Sequence, residues 1–256
     1  MRGLLACCCL SFALVSACGG PHARPGLTAA PAVSAPPAIA VRQHNEAIRA
    51  EAEALAPLVH TELARHFLAA TAMLPAVRPR TVLHDHDRSH YYSRAEAALL
   101  PPETRSSLQP LVVDEAFFYA TRYASPLSYA RALDVVADAG FTVAAGKRVL
   151  DYGYGMIGQL ALLAVLGADV TGIDPDPMLR AIYSEPGDTD VVEAPGTPPG
   201  RVTLVSADFP RDEAARTKVP GPYDLIISKN TLKRGYLHPE RPAPQRRLIA
   251  VGVDDA

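Results

Sequence analysis

Two aspartates and a run of glycines are the residues here whose types and spacing suggest chemistry. Asp151-Tyr152-Gly153-Tyr154-Gly155-Met156-Ile157-Gly158 lies between a short apolar run and an apolar helical pattern, and Asp174 closes the next apolar run. Strand, glycine turn, helix, strand, acid is half of a nucleotide-binding βαβ unit. Without a Cβ, Gly153 and Gly155 can take positive φ and let backbone N–H groups approach a ligand. The helix that starts at the turn is expected to point its positive end at that ligand. Asp174, about 20 residues past the first glycine, sits where a ribose would offer its hydroxyls. Asp151 stands where nicotinamide-binding turns usually carry an apolar side chain. A carboxylate at that point suits a cationic or amino-bearing ligand.

A second concentration of polar residues reads His84-x-His86-Asp87-x-x-His90. It matches the H-x-H-x-D-H of metallo-hydrolases only loosely, and no second cluster supplies distant ligands. A polar loop without metal is the expectation for 81–92.

The elements that must position these residues follow from pattern. Hydrophobic residues make up 48% of the 256 residues, enough to bury one domain of ordinary size plus extensions. A net charge of −2 gives no reason to expect nucleic acid as a partner. Residues 42–73 carry apolar side chains at helical spacing, interrupted by Pro57, and read as two helices. Ser93-Arg94-Ala95-Glu96 is a capping box, and Ser125-Pro126 starts a helix that stops at Gly140. The aromatic stretch between them reads as core, with Tyr119 or Tyr123 as alternatives for covering a bound cofactor. Four parallel strands are expected near Val149, Val170, Val202 and Leu225. Asp176-Pro177 caps a short helix after the second, and 184–200 reads as a loop. The fold class is therefore α/β, a Rossmann-like parallel sheet over 141–256 with an N-terminal helical extension over 42–140.

The N-terminus reads as an export signal. Arg2 precedes an apolar stretch, 4–15, too short to span a bilayer. Val15-Ser16-Ala17-Cys18 resembles a bacterial lipobox, in which cleavage leaves the cysteine as the lipidated first residue. That resemblance implies a signal peptide over 1–17, lipid on Cys18 and a membrane anchor in the cell envelope. Cys7, Cys8 and Cys9 would be lost with the leader, so the mature chain would hold no disulfide. Residues 18–41, rich in Pro, Ala and Gly, read as a tether. An ordinary signal peptide, or a misassigned start codon and with it a cytoplasmic protein, are the alternatives.

Residues 123–238 resemble a class I S-adenosylmethionine-dependent methyltransferase. The resemblance is carried by V-L-D-Y-G-Y-G, G-I-D-P-D-P, S-A-D-F-P and Y-D-L-I-I-S-K-N, at the ends of successive strands. It implies S-adenosylmethionine as cofactor, with Gly153, Tyr154 and Gly155 beside it and Asp151 at its amino-acid end. Asp174 and Pro175 would lie at the ribose, Ala207 and Asp208 at the adenine, and Ser228 and Asn230 near the transferred methyl. Tyr152 or Tyr154 could face the sulfonium. Lys229, Tyr236 and His238 are candidate bases, none assigned, and the methyl acceptor is left open. A nicotinamide-dependent oxidoreductase and a non-catalytic envelope lipoprotein are the alternatives. Such methyltransferases have seven strands, so a chain with four reads as C-terminally truncated, with an uncovered edge at 225–228.

Overall fold

The computed structural model describes residues 39–123 and 125–229. Cys18 and the expected leader and tether, as well as Asn230, Tyr236 and His238, lie outside the described residues.

The chain begins with helix α1 (Ile39–Leu55), a 3-10 turn at Pro57 and α2 (Glu62–Ala69). Proline lacks the N–H that α1 would need to continue, which ends the helix there. Thr61 caps α2 by accepting from the Ala64 N–H. Asp134, 73 residues further along the chain but packed beneath this cap, accepts from the His60 and Thr61 N–H groups, the Thr61 hydroxyl and Arg131 at 2.8–3.2 Å. Burial pushes its carboxyl up, but these donors outweigh burial and hold it below its ordinary value. Its contribution is therefore present at neutral pH and is lost as pH falls through the carboxylate range. Asp134→Ala orphans several donors at once and should cost about 2–4 kcal/mol in urea unfolding at pH 7. An unchanged midpoint would show that the junction between α2 and the segment carrying Asp134 does not depend on it.

The expected helical extension is only partly helical. It also holds a three-stranded antiparallel sheet, β2-β1-β3, made of β1 (Arg80–His84), β2 (Tyr91–Tyr92) and β3 (Gln109–Val113). The residues expected to form a polar loop are a hairpin. Asp85 organises its turn by accepting from the Ser89 and His90 N–H groups at 2.8 and 3.1 Å. The turn's polarity hid the alternation on either side. His84 is buried against Tyr91, and among the described residues no three His, Cys, Asp or Glu side chains gather as metal ligands. The capping box is present at Ser93, opening α3 (Arg94–Ala98); α4 (Pro102–Ser106) follows. Helix α5 (Glu115–Ala120), a 3-10 turn (Pro126–Tyr129) and α6 (Ala130–Asp138) lead into the second sheet.

That sheet has order β6-β7-β5-β4-β8. Strands β4 (Arg148–Tyr152), β5 (Asp169–Ile173), β7 (Gly200–Val205) and β8 (Leu225–Ile227) are parallel, as expected. The fifth, β6 (Asp190–Val192), lies antiparallel to β7 within the stretch expected to be a loop. Three residues flanked by glycines and prolines are too short to show periodicity, and β7 supplies the missing hydrogen-bond partner. Period-2 alternation sends Val149, Val170 and Val202 to one face and Leu150, Ile173 and Val205 to the other. Helix α7 (Gly158–Val165) is buried at every position, as an apolar helix must be when sandwiched between layers. It rests on β5 and β7 on one side and meets α5 and the Pro126–Tyr129 turn on the other. The connections after β5 and β7 are α8 (Pro177–Ile182) and α9 (Glu213–Lys218). Among the described residues β8 pairs on one side only and exposes Ile226, and no helix is long and apolar enough to cross a membrane.

Candidate functional site

The glycine turn joins β4 to α7 at the C-terminal ends of the parallel strands. Gly153 and Gly155 have φ of 75° and 61°, the left-handed region that favours glycine. Their amides, however, are used within the protein. Gly153 N–H donates to Ile173 O at 2.7 Å, Gly155 N–H to Asp174 Oδ2 at 3.1 Å, and Ile157 N–H to the Tyr183 hydroxyl at 3.1 Å. The start of α7 is likewise covered. A Cβ on Gly158 would stand 2.5 Å from the Tyr119 carbonyl oxygen and 2.8 Å from Pro126. The expectation that turn amides and the helix's positive end face a ligand is corrected here. The segment arriving from α5 occupies that place.

That segment is a strap over the turn, which sequence reasoning did not find. Thr121 has φ 48°, a strained value for a β-branched residue, and its hydroxyl donates to Gly155 O at 2.8 Å. The Tyr123 ring lies against Gly155, so that a Cβ there would meet it at 3.0 Å. Arg122 and the Tyr123 hydroxyl both donate to Asp176 Oδ2, at 2.6 and 3.1 Å. Of the two tyrosines considered as covers, Tyr123 lies on the turn. Tyr119 is buried and donates its hydroxyl to Pro75 O, which makes it core.

Asp151 is fully buried in mid-sheet, beside Gly172 of β5 and Ile227 of β8. Gln159 donates to its Oδ2 at 3.0 Å and to Tyr154 O at 2.8 Å. Burial pushes the Asp151 carboxyl up to about 7; the Gln159 hydrogen bond opposes this and the Asp174 charge adds to it. Gln159 was missed, yet a single amide in the otherwise apolar GQLALLAV helix is a readable signal. Asp174 accepts from Gly155 N–H and Asp176 N–H, the latter at 2.9 Å. Burial raises its carboxyl, the two backbone donors oppose that, and the charge of Asp176 reinforces it. Tyr154 is buried, its ring tilted against Tyr183; Pro175 is exposed.

Around the other strand ends, Tyr152 donates to Phe209 O and Ser228 donates to Tyr152 O, at 2.7 and 2.9 Å. Lys229 reaches Ser128 Oγ at 2.6 Å, and burial lowers its amine. Ala207 packs with the Leu150–Ile173 cluster. Asp208 is exposed and holds Arg211 at 2.7 Å, so its carboxylate is engaged at the surface. The structure thus brings Asp151, Gly153, Gly155, Asp174 and Ser228 together at adjoining strand ends, while Tyr154 turns inward and Asp208 outward.

A cavity of about 450 Å³ lies elsewhere, against the flank of α7 formed by Ile157, Ala161 and Val165. Its polar lining includes Arg78, Glu185, Glu193 and Arg80, the last gripping Asp188 through two bonds of 2.6 and 2.8 Å. Size alone does not make it the chemical centre, because the strand-end carboxylates are not part of its lining. No protein-family model matches the chain, and no curated protein matches it in sequence. The functional reading therefore rests on the geometry of the turn and the strand ends.

Proposed function

We propose that the chain binds S-adenosylmethionine and transfers its methyl group to an acceptor. One observation carries this: the D-x-G-x-G turn, with Asp151 and Asp174 ending adjacent strands, falls where β5 continues the sheet on one side of β4 and β8 on the other. Connections leave such a switch point in opposite directions and open a crevice for ligands. The partners of the turn favour this cofactor over a dinucleotide. The Gly153, Gly155, Met156 and Ile157 N–H groups are satisfied internally and a Cβ on Gly158 would meet a carbonyl, so a pyrophosphate finds few donors. What the turn offers is carboxylates, which suit an ammonium and hydroxyls.

Asp151 and Gln159 would hold the amino-acid end and Asp174 the ribose. Bound cofactor supplies a methyl on a sulfonium, a good leaving group. The protein's task is then to align acceptor and methyl and to exclude water. The strap at 119–123 supplies cover. Ser228 fixes the end of β8 against that of β4. The lipobox-like residues before Cys18 support an envelope-anchored enzyme, a location in which the acceptor would be sought.

S-adenosylhomocysteine should bind in calorimetry and NAD should not. Asp174→Ala should weaken binding by about 1.5–3 kcal/mol through lost ribose hydrogen bonds. Undiminished affinity in that variant, or tighter binding of NAD, would sink the reading.

A further inference from the structure

The cavity of about 450 Å³ beside α7 is built where the chain around the first sheet meets the second. Val77 and Arg80 come from the start of β1, Phe118 from α5, Ala161 from α7 and Val191 from β6. Pockets for small molecules run from about 300 to 1,000 Å³, whereas close packing leaves few voids larger than a water. The polar groups set into its walls are spent on one another. Arg80, with its side chain 12% exposed, donates to both oxygens of Asp188, whose side chain is 6% exposed. It also donates to Ile182 O at 3.1 Å, lies over the Phe118 ring at 5.1 Å, and has its Nε covered. Tyr119 has given its hydroxyl to Pro75 O. Burying an ion pair costs desolvation. Here it ties the start of β1 to the chain after α8 and so fixes two walls of the cavity against each other.

These pairings decide what the cavity can take. An anion finds no donor on Arg80, and Glu185 Oε2, 3.6 Å from the guanidinium, opposes its approach. The charges of Arg78, Glu185 and Glu193 are on exposed residues and stay in water. What the walls leave uncovered is apolar. Met73 and Val191 in the lining are 40% and 49% exposed, large hydrophobic side chains with nothing over them. We propose that this cavity is a ligand site in its own right, for a small neutral molecule with an aromatic or aliphatic body. It does not rest on the methyltransferase reading, since the strand-end carboxylates are not in its lining. Apolar surface buried against Val77, Phe118, Ala161 and Val191 supplies the binding. A charge on the ligand would shed water beside walls whose own charges are already paired.

Indole is the probe. The protein has no Trp, so indole emission excited beyond the tyrosine band is read without background. Titration with protein should give a saturable blue shift, with a dissociation constant on the order of 0.1–1 mM. Tryptamine and indole-3-acetate carry the same ring with a positive and a negative charge, and each should bind about tenfold more weakly. Val191 lies on β6, at the edge of the sheet, where a polar side chain is compatible with folding. Val191→Asp sets a carboxylate into the apolar lining and should weaken indole about tenfold. Ala161→Leu should weaken it similarly by filling the space from α7. No saturation with indole overturns the site. Tighter binding of tryptamine or of indole-3-acetate overturns the neutral class of ligand. Unchanged indole affinity in folded Val191→Asp puts the probe elsewhere and overturns the assignment to this cavity. Should Ala161→Leu fail to fold, Val191→Asp decides alone.

Discussion

Asp151→Asn should make the protein more stable above neutral pH, although it removes a residue assigned to ligand binding. The sign follows from linkage. The folded protein holds the Asp151 proton up to about 7 against an ordinary 3.8, so the folded state binds more protons than the unfolded chain between those values. This group's stabilisation is complete below the unfolded value and is lost as pH rises through the folded one. At 1.36 kcal/mol per unit, the difference is roughly 4 kcal/mol by pH 8. Asp174 is raised as well and acts in the same direction, so the comparison of variant with parent isolates Asp151. Asparagine cannot ionise, and its amide hydrogens can serve the orphaned Gln159 carbonyl. Urea unfolding at pH 5 and pH 8 should show stability declining in the parent and a much flatter profile in the variant. The same decline in both would mean that Asp151 is not the titrating group.

The largest loss is expected from Gly200→Ala. A Cβ on Gly200 would lie 2.0 Å from the Ala164 carbonyl oxygen and 2.7 Å from its carbon. Both are backbone atoms of α7, so no rotamer change relieves the clash. Either α7 lifts off β7 or the first residue of β7 leaves the ladder. Helix α7 is buried at all of its positions, so lifting it opens gaps on both of its faces. A loss of about 3–5 kcal/mol in urea unfolding is expected, at the upper end of what overpacking produces. Because α7 begins at the glycine turn, affinity for S-adenosylhomocysteine should fall in the same variant. A loss below about 1 kcal/mol would show that the helix and strand are less tightly seated than drawn.

The features legible along the chain are those that depend only on near neighbours in it. The four parallel strands are short β-branched and aliphatic runs with turn residues at both ends. The end of α1 at Pro57, the capping box at Ser93 and the Asp176 cap before Pro177 are local hydrogen-bond chemistry, readable within four residues. The glycine turn was legible for the same reason, since positive φ at Gly153 and Gly155 needs no distant partner. Tertiary structure decided the rest. Strand β6 exists because β7 lies beside it, and the hairpin at 80–92 because Asp85 folds its polar turn into hydrogen bonds. Which atoms of the turn are free to meet a ligand depended on a segment 34 residues upstream of Gly155. The Tyr119 carbonyl and the Thr121 hydroxyl take the places that local spacing would give to a ligand. The aspartate spacing marked a carboxylate at the strand end. Only packing buried Asp151, left Oδ1 without a donor and set Gln159 against it. Burial and unmet hydrogen bonds are properties of what surrounds an atom in space, and spacing along the chain does not specify them.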